Sequence, residues 1–520
     1  MADRYDVIVV GGGHNGLVAA AYMAMAGLNT LVLERRGLVG GACVTEELIP
    51  GYKFSSCAYV SWMLQPKVVA DLELRKHGFD VYSQDPYLTQ PFPDGHRVLF
   101  WQDDRRTEEE IARISPRDVE AYRSWWKFWS RAAEIFQPYL LTSPPTLEEI
   151  GDRLQGTAYQ DVFKTLLTVS FRDLLDDFFE SDQVKACFVS APDLQGPRAV
   201  GSALSSAYYA CSILINPEDQ GIPKGGMGGL TQAMARAARS HGVTIRTGAA
   251  VKRILVRGGK ARGVVLTDGE EIESNLVVSN ADPLQTFLRL VGPEELDRGF
   301  VEQLGRLKTD MAHLKLHCAL REAPDFSRFL DTGEDALHLG LIKICPSVEY
   351  FEKSCEDTRQ GTFTDCPVFE IQMPSAYDPT LAPDGHHVLS AFVFHAPRCL
   401  VGRSWEEARE EIANQLIDKI TEYAPNFRDS IIDWRLFTPQ DMEQRMGFTN
   451  GNIHHLDLVP SQMLSRRPLP GWSDYRTPIQ GLYLCGAGTH PGGEVTGAPG
   501  HNAAHAVLED WERNARYTGP

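Results

Sequence analysis

The amino-acid sequence predicts an α/β protein in which one domain is assembled from separated parts of the chain. Three observations support this prediction. Near the N-terminus, residues 6–27 form an apolar run, a glycine-rich turn and a small-residue helix. The same succession of strand, glycine-rich loop and helix returns in residues 481–513. Between them, residues 242–278 alternate apolar and polar side chains, as strands do, around a Gly258-Gly259 hairpin turn.

The N-terminal turn, residues 11–16, has the spacing of a dinucleotide-binding turn. Gly11 permits the tight turn, Gly13 lets the backbone approach a pyrophosphate, and Gly16 lets helix and strand pack closely. The following helix N-terminus offers N–H groups and a partial positive charge to phosphates. About 20 residues later Glu34 ends a second apolar run, where a carboxylate accepts hydrogen bonds from ribose hydroxyls. The alternative is a glycine-rich turn in an ordinary α/β sheet.

Length and composition limit the classes of protein to which this chain can belong. A chain of 520 residues is too long for one compact core, so two or more domains are expected. The net charge of −18 disfavours binding to nucleic acid. No apolar run reaches the roughly eighteen residues of a transmembrane helix, and the strand begins too early for a signal peptide. The ten cysteines lack ligand-like spacing, so neither disulfides nor a metal site is expected and the predicted location is cytoplasmic.

The middle of the chain predicts mixed structure. Ser115 and Pro116 are suited to begin an aromatic-rich helix over 119–141, whose aromatic stripe is either core, a wall of an apolar cavity, or a membrane-facing surface. Residues 146–215 are predicted mostly helical. The glycines at 225–229 are predicted to form a turn before a helix at 230–241, because no apolar strand precedes them as a second nucleotide site requires. Further on, the pattern predicts four strands and a helix, at 311–320, 338–345, 367–373, 387–394 and 405–423.

These blocks resemble the flavin-binding segments of the phytoene desaturase-like (carotenoid desaturase and isomerase) FAD-dependent oxidoreductases, within the wider amine oxidase-like superfamily. The resemblance rests on residues 11–16, on 33–46 with its Gly40-Gly41 pair, on 226–251, and on the C-terminal loop 486–500. It implies a Rossmann-like FAD-binding domain of the glutathione reductase and amine oxidase type, with a discontinuous substrate domain of mixed sheet and helix. We assign residues 1–80, 222–300 and 431–520 to the FAD-binding domain. The substrate domain takes 81–221 and 301–430, with its helical aromatic-rich part near 116–215.

The resemblance also implies which residues contact FAD. Arg35 leaves open a 2′-phosphorylated ribose as an alternative partner, although the absence of a second nucleotide fingerprint argues against it. The predicted positions are the pyrophosphate (Gly11, Gly13, His14, Asn15, Gly16), the ribose (Glu34, Arg35), the adenine (Val251) and the flavin ring (Gly40, Gly41, Ala42, Gly486, Gly497, Ala498).

The implied activity is oxidoreduction at a carbon–carbon bond of an apolar, polyene- or isoprenoid-like substrate, by desaturation or by flavin-assisted double-bond isomerisation. The electron acceptor would be O₂, a quinone or a redox partner, and an apolar substrate is compatible with peripheral membrane contact. Two alternatives remain open: an amine or amino-acid oxidase on the same scaffold, and a non-catalytic FAD-containing binding protein.

His490 and Glu494 are the candidate acid–base groups, because both lie in the loop predicted beside the flavin. A loop residue that hydrogen-bonds the backbone is the alternative for each. Glu494 stands where relatives more commonly carry glycine. His454, His455 and Asp457 are rejected as a metal cluster, because adjacent histidines in a strand point to opposite faces.

Overall fold

A computed structural model describes residues 5–190 and 193–517 of the chain. The first four residues, on which the expectation of no signal peptide rests, lie outside this range. The strands of the described residues are β1 (Val7–Val10), β2 (Thr30–Leu33), β3 (Thr45–Ile49), β4 (Tyr52–Ser55), β5 (Val81–Tyr82), β6 (Leu88–Pro91), β7 (Arg97–Phe100), β8 (Ile222–Pro223), β9 (Thr244–Arg246), β10 (Val251–Arg257), β11 (Lys260–Leu266), β12 (Glu271–Glu273), β13 (Leu276–Ser279), β14 (Ala312–Leu320), β15 (Leu341–Ile344), β16 (Val368–Gln372), β17 (His387–Ala396), β18 (Ile431–Phe437) and β19 (Leu482–Leu484).

The α-helices of the same residues alternate with these strands or cluster between β7 and β8. They are α1 (His14–Met25), α2 (Pro66–Asp71), α3 (Asp104–Ile114), α4 (Asp118–Phe136), α5 (Leu147–Leu154), α6 (Gln160–Thr168), α7 (Phe171–Phe178), α8 (Asp182–Phe188), α9 (Ser202–Ile213), α10 (Met227–Ser240), α11 (Arg298–Leu304), α12 (Val348–Arg359), α13 (Trp405–Thr421), α14 (Phe427–Ser430), α15 (Pro439–Met446) and α16 (Ala498–Tyr517).

A five-stranded parallel sheet, in the order β19-β13-β1-β2-β9, forms the centre of the nucleotide-binding part. The strands β1, β2, β13 and β19 are largely apolar runs because both faces of the sheet are covered there, whereas the edge strand β9 is polar and partly exposed. Val7 and Val9 pack with α1, α10 and α16, whereas Ile8 and Val10 pack toward the antiparallel sheet β10-β11-β12. The sheet therefore draws strands from three separated stretches of the chain, as the sequence predicts.

A seven-stranded sheet, in the order β18-β14-β17-β16-β15-β6-β7, forms the second large unit. It is antiparallel except for the β15–β6 pair, and α13 covers one face. The strands predicted at 311–320, 338–345, 367–373 and 387–394 are confirmed as β14 to β17, and the helix predicted at 405–423 as α13. The predicted domain boundary at residue 431 is wrong, because six residues of β18 pair with β14 and the strand so belongs to this second sheet.

The helices α3 to α9 form a layer over the seven-stranded sheet, and the aromatic helix α4 lies inside it. Ser115 ends α3 and does not cap α4, which begins at Asp118, so the predicted start of this helix is corrected. Trp125 and Trp129 are each 3 % exposed and pack against rings from α7 and α8. The aromatic stripe is therefore core, the first of the three roles that the sequence leaves open.

Of the glycines at 225–229, Gly225 and Gly226 form the predicted turn, whereas Gly228 and Gly229 lie in the first turn of α10, so the predicted helix start at residue 230 is corrected to Met227. The N–H groups of this segment are bonded within the chain: Gly225 donates to Asp378, Met227 to Ser55 and Gly228 to Thr45. Donors already engaged in this way do not form a phosphate cradle. Elsewhere in the described part of the chain, no helix combines the length and apolar character needed to cross a membrane.

Candidate active site

The turn between β1 and α1 cannot accept side chains at its key glycines. Gly11 has φ +98°, a left-handed conformation that favours glycine. A Cβ atom on Gly16 would lie 2.2 Å from the carbonyl oxygen of Gly11, and one on Gly13 would lie 2.7 Å from Nδ2 of Asn280. The backbone is consequently bare at the carboxyl end of β1, where open α/β sheets bind nucleotides.

Glu34 directly follows β2 beside this turn, and its carboxylate accepts hydrogen bonds from two backbone N–H groups. Its Oε2 accepts from the N–H of Gly12 and its Oε1 from the N–H of Arg36, each at 2.8 Å. Arg35 points differently, since its Nη2 donates to the carbonyl oxygens of Gln444 and Arg445 at 3.1 and 2.8 Å. Arg35 thus caps the carboxyl end of α15, and this engagement argues against the 2′-phosphate alternative.

A cavity of about 520 Å³ runs from Glu34 and Val251, across the glycine turn, to the seven-stranded sheet. Most of the predicted contact residues line it: Gly11, Gly13, His14, Asn15, Glu34, Arg35, Gly41, Ala42, Val251 and Glu494. The other predicted FAD contacts do not line the cavity; they are Gly16, Gly40, Gly486, Gly497 and Ala498. Gly40, for example, donates its N–H to the carbonyl oxygen of Gly12 at 2.8 Å and so fixes the turn from behind.

The N-terminal and C-terminal glycine blocks meet at this cavity. A Cβ on Gly500 would lie 2.2 Å from the carbonyl oxygen of Asn15, and one on Gly486 would lie 2.8 Å from that of Asn280. Helices α1 and α16 pack together through this contact. The bare glycine turn, the bonded carboxylate of Glu34 and the α1 N-terminus fit the pyrophosphate and ribose of FAD.

Glu494 lies deep in the cavity and adopts a left-handed conformation, with φ +66°. Burial raises the pKa of its carboxyl group to about 7, although a hydrogen bond with Tyr209 lowers this pKa in part. Its Oε1 lies 3.7 Å from Nδ1 of His454. Because burial lowers the pKa of His454 to about 3, this imidazole is neutral and the contact is not an ion pair at neutral pH. Glu494 is therefore placed to exchange a proton near pH 7.

His490, the other candidate acid–base residue, lies outside the lining of this cavity. It borders a small apolar pocket with Phe136 and Tyr208. Its Nε2 donates to the carbonyl oxygen of Tyr139 at 2.7 Å, and burial lowers its pKa to about 4. These contacts favour the alternative role of a loop residue bonded to the backbone.

His454 and His455 lie in a loop, so the strand geometry used to reject a metal cluster is wrong. His455 has φ +65°, which no strand residue adopts. Both imidazoles line the cavity, whereas Asp457 accepts from the N–H of Met311 and from the Asn452 amide. Across residues 5–190 and 193–517, no group of three or more His, Cys, Asp or Glu side chains is arranged to hold a metal ion.

The seven-stranded sheet contributes a row of side chains that the sequence interpretation missed. Lys343, Glu370, Phe392 and Lys315 are paired across β15, β16, β17 and β14, so their side chains share one face. Glu370 and Phe392 line the cavity. One feature of the sequence could have revealed these residues. A single charged residue stands between apolar residues of the same strand, as in Leu-Ile-Lys343-Ile and Val-Phe-Glu370-Ile.

Tyr59 completes this wall. Its hydroxyl donates to Glu370, and Lys315 Nζ lies 3.9 Å from the centre of its ring. Lys343 Nζ donates to three backbone carbonyl oxygens, of residues 186, 187 and 189. Burial raises the pKa of the Glu370 carboxyl group and lowers that of Lys315 to about 7. The wall is thus a polar cluster inside an otherwise aromatic end of the cavity.

This fold, with a bare glycine turn, a hydrogen-bonded carboxylate and a cavity that extends to a second sheet, is that of a flavin-nucleotide oxidoreductase. Residues 16–508 match the family described as flavin containing amine oxidoreductase. The chain belongs to that family and is an FAD-dependent oxidoreductase.

Several known proteins are similar over nearly the whole chain. Rat pyridine nucleotide-disulfide oxidoreductase domain-containing protein 2 is 36 % identical over 98 % of this chain and 94 % of its own. A limonene dehydrogenase subunit of Castellaniella defragrans is 29 % identical, over 99 % and 96 %. A lycopene-forming phytoene desaturase of Pseudescherichia vulneris is 26 % identical, over 97 % and 99 %. These relatives support the phytoene desaturase-like branch that the sequence resembles.

Among solved structures, putrescine oxidase bound to putrescine superimposes with a TM-score of 0.62. It covers 98 % of this chain and 99 % of its own, at 18 % sequence identity. At this identity the likeness shows the fold alone.

Proposed function

We propose that this enzyme oxidises or isomerises a carbon–carbon bond of an apolar, polyene- or isoprenoid-like substrate. The observation that carries the proposal is the composition of the cavity beyond the glycine turn. Its lining there is largely aromatic and aliphatic, with Val60, Trp62, Met63, Ile213, Met311, Phe392 and Phe394. Such a wall binds hydrocarbon by removing apolar surface from water.

The names of two relatives point the same way. One is a limonene dehydrogenase subunit and another is a lycopene-forming phytoene desaturase, so both are named for apolar hydrocarbons. The cavity of this chain offers the corresponding chemistry, because its aromatic end adjoins the predicted flavin contacts Gly41 and Ala42.

FAD, when bound, supplies the two-electron oxidant that desaturation needs. The chain's own residues bind and orient the substrate and exclude water from it. Desaturation also releases a proton from the neighbouring carbon, and we assign its acceptor as the Glu494 carboxylate. A double-bond isomerisation uses the same group to move a proton between two carbons.

A second candidate is amine oxidation, which a specific observation favours. Glu370 and Glu494 both line the cavity, and a buried carboxylate attracts an ammonium group. The similar putrescine oxidase structure is named for an amine. We rank this candidate second because the remaining lining of the sheet end is mostly apolar.

When the reaction is an oxidation, the enzyme passes the electrons of its substrate to O₂, a quinone or a redox partner. We further propose a cytoplasmic enzyme that contacts a membrane surface, since apolar substrates partition into membranes.

The test is an anaerobic titration of the FAD-bound protein, followed by its visible flavin absorption. Limonene and phytoene serve as apolar probes, and putrescine and cyclohexylamine as amine probes. We expect an apolar probe to bleach the flavin and air or a quinone to restore its colour. For an isomerase, the chemically reduced protein converts the alkene to its isomer. Bleaching by the amines alone would overturn the proposal in favour of amine oxidation.

A further inference from the structure

The sheet wall of the cavity holds polar atoms that the chain itself does not satisfy. His313 is 1 % exposed and lines the cavity, yet neither its Nδ1 nor its Nε2 has a hydrogen-bond partner in the part of the chain that the structure describes. Its ring packs against Phe392 at 4.4 Å and Phe394 at 5.2 Å between ring centres. Leaving a buried polar group without a hydrogen-bond partner costs free energy. Binding of a ligand group that hydrogen-bonds the His313 imidazole is therefore favoured.

Glu370 and Tyr59 lie on the same wall as His313, and Phe392 is a neighbour of all three residues. Tyr59 lies 5.3 Å from Phe392, on the ring that His313 also contacts. One oxygen of Glu370 accepts from Tyr59, and within residues 5–190 and 193–517 no hydrogen bond engages the other oxygen. All three residues line the cavity. A carboxyl oxygen, a phenol and an imidazole whose pKa burial lowers well below its usual value thus surround Phe392 on this wall.

We propose that Tyr59, His313 and Glu370 bind a hydroxyl group at one end of the substrate. This inference rests on the proposed function and narrows its substrate class, from an apolar chain to an apolar chain with an alcohol terminus.

The mixture of donors and acceptors selects a hydroxyl among polar groups. A neutral imidazole has one N–H donor and one acceptor nitrogen, and the free oxygen of Glu370 is an acceptor when ionised. A hydroxyl group both donates and accepts, so it can accept from the N–H of the imidazole and donate to the free oxygen of Glu370. An ether or carbonyl oxygen only accepts, and an ammonium group only donates.

Charge also favours the neutral group. Glu370 lies in the row between Lys343 and Lys315, and both lysines stabilise its negative charge. An ammonium group would add a positive charge to a wall that already holds two buried lysines. A hydroxyl adds none.

The test measures equilibrium binding to the FAD-bound protein by calorimetry and by perturbation of the flavin spectrum. The probes share one carbon skeleton: geraniol, geranyl methyl ether, geranylamine and the hydrocarbon 2,6-dimethylocta-2,6-diene. We expect geraniol to bind about tenfold more tightly than the ether and the hydrocarbon, the effect of one or two hydrogen bonds.

The variants H313F and Y59F are expected to remove this preference and to leave hydrocarbon binding unchanged. H313F breaks no hydrogen bond of the folded protein, so its FAD content and folding should persist, and this keeps the test informative if Y59F folds poorly. H490N, which changes a buried imidazole outside the lining of this cavity, is the matched control and should retain the preference.

Equal binding of geraniol and the hydrocarbon would overturn the inference, as would a preference that survives both H313F and Y59F. Tightest binding of geranylamine would overturn it in favour of an ammonium-binding site. Failure of the proposed function is separate, because it would leave the geraniol preference intact while no alkene, with or without a hydroxyl, is oxidised or isomerised.

Discussion

Gly16 lies against the carbonyl oxygen of Gly11, where a Cβ atom would approach to 2.2 Å. G16A must push the helix α1 away from β1 and so distort the predicted pyrophosphate cradle. We expect FAD affinity to fall about tenfold or more, measured as the flavin retained after dialysis. Gly37 provides the control, because a Cβ atom there meets nothing within 4 Å. Equal flavin retention by G16A and G37A would contradict the placement of the cradle.

Glu494 is the residue whose ionisation should be visible in the kinetics. Its pKa is raised to about 7 by burial, so the carboxylate that accepts a proton becomes populated as the pH rises through about 7. We expect the rate of flavin reduction at saturating substrate to rise through this pH range and then level off. The glutamine of E494Q cannot ionise, so this variant should lose the rise of the rate near pH 7, which is the acidic limb of the pH profile. Its rate of flavin reduction should also fall about a hundredfold.

His490 gives the matched comparison for Glu494. Because its pKa lies near 4 and its Nε2 bonds the Tyr139 carbonyl, H490N should keep the limb near pH 7. A limb that persists in E494Q and vanishes in H490N would reverse the two roles.

At the scale of elements, α4 carries the core of the helical layer. Trp125 contacts the rings of Trp129, Phe171, Phe178, Phe179 and Phe188. Truncating a buried tryptophan leaves a cavity, so W125A should lower the free energy of unfolding by about 3–5 kcal/mol. Trp126 is only partly buried, and W126A should cost clearly less. Denaturant titration checks both, and similar losses would show that α4 is not packed as described.

The loop that carries His454 and His455 is organised by one buried arginine. Arg467 is 0 % exposed, and its guanidinium donates to the carbonyl oxygens of five residues: His454, Leu456, Asp457, Gln462 and Ala487. It therefore ties the 454–467 loop to the C-terminal glycine loop beside the cavity.

R467M leaves these carbonyl oxygens buried without donors. We expect it to lower the free energy of unfolding by about 3 kcal/mol or more and to reduce FAD retention. R466M alters the neighbouring exposed arginine and should change stability by less than about 0.5 kcal/mol. Thermal unfolding of the two variants decides the point, and a stable R467M would show that the loop holds its shape without the guanidinium.

At the scale of the whole molecule, local sequence patterns predict the nucleotide-binding part well. A phosphate cradle demands bare backbone at fixed spacing, so Gly11, Gly13 and Gly16 are visible in the sequence, and so is Glu34 at the end of the next strand. The resemblance implies that both glycine blocks contact FAD, and the structure adds the approach of Gly500 to Asn15.

What the sequence leaves hidden depends on strand register. Tyr59 and Glu370 are 311 residues apart, and only the pairing of β16 with β17 brings Glu370 into the cavity. The strand β18 alternates like its neighbours, so its sequence does not say which sheet it joins. The loop conformation of His455 is equally hidden, because a left-handed residue other than glycine leaves no local pattern.

A carbon–carbon bond is the proposed site of reaction of the whole enzyme. The most direct measurement is mass spectrometry of an apolar alkene recovered after a single anaerobic turnover with the FAD-bound protein, alongside the flavin spectrum. For desaturation the account predicts a product lighter by two hydrogen atoms, in an amount equal to the flavin reduced. For isomerisation it predicts a product of unchanged mass and altered retention time, formed by the reduced protein. Recovery of unaltered alkene from both the oxidised and the reduced protein, with flavin reduction by an amine, would contradict it.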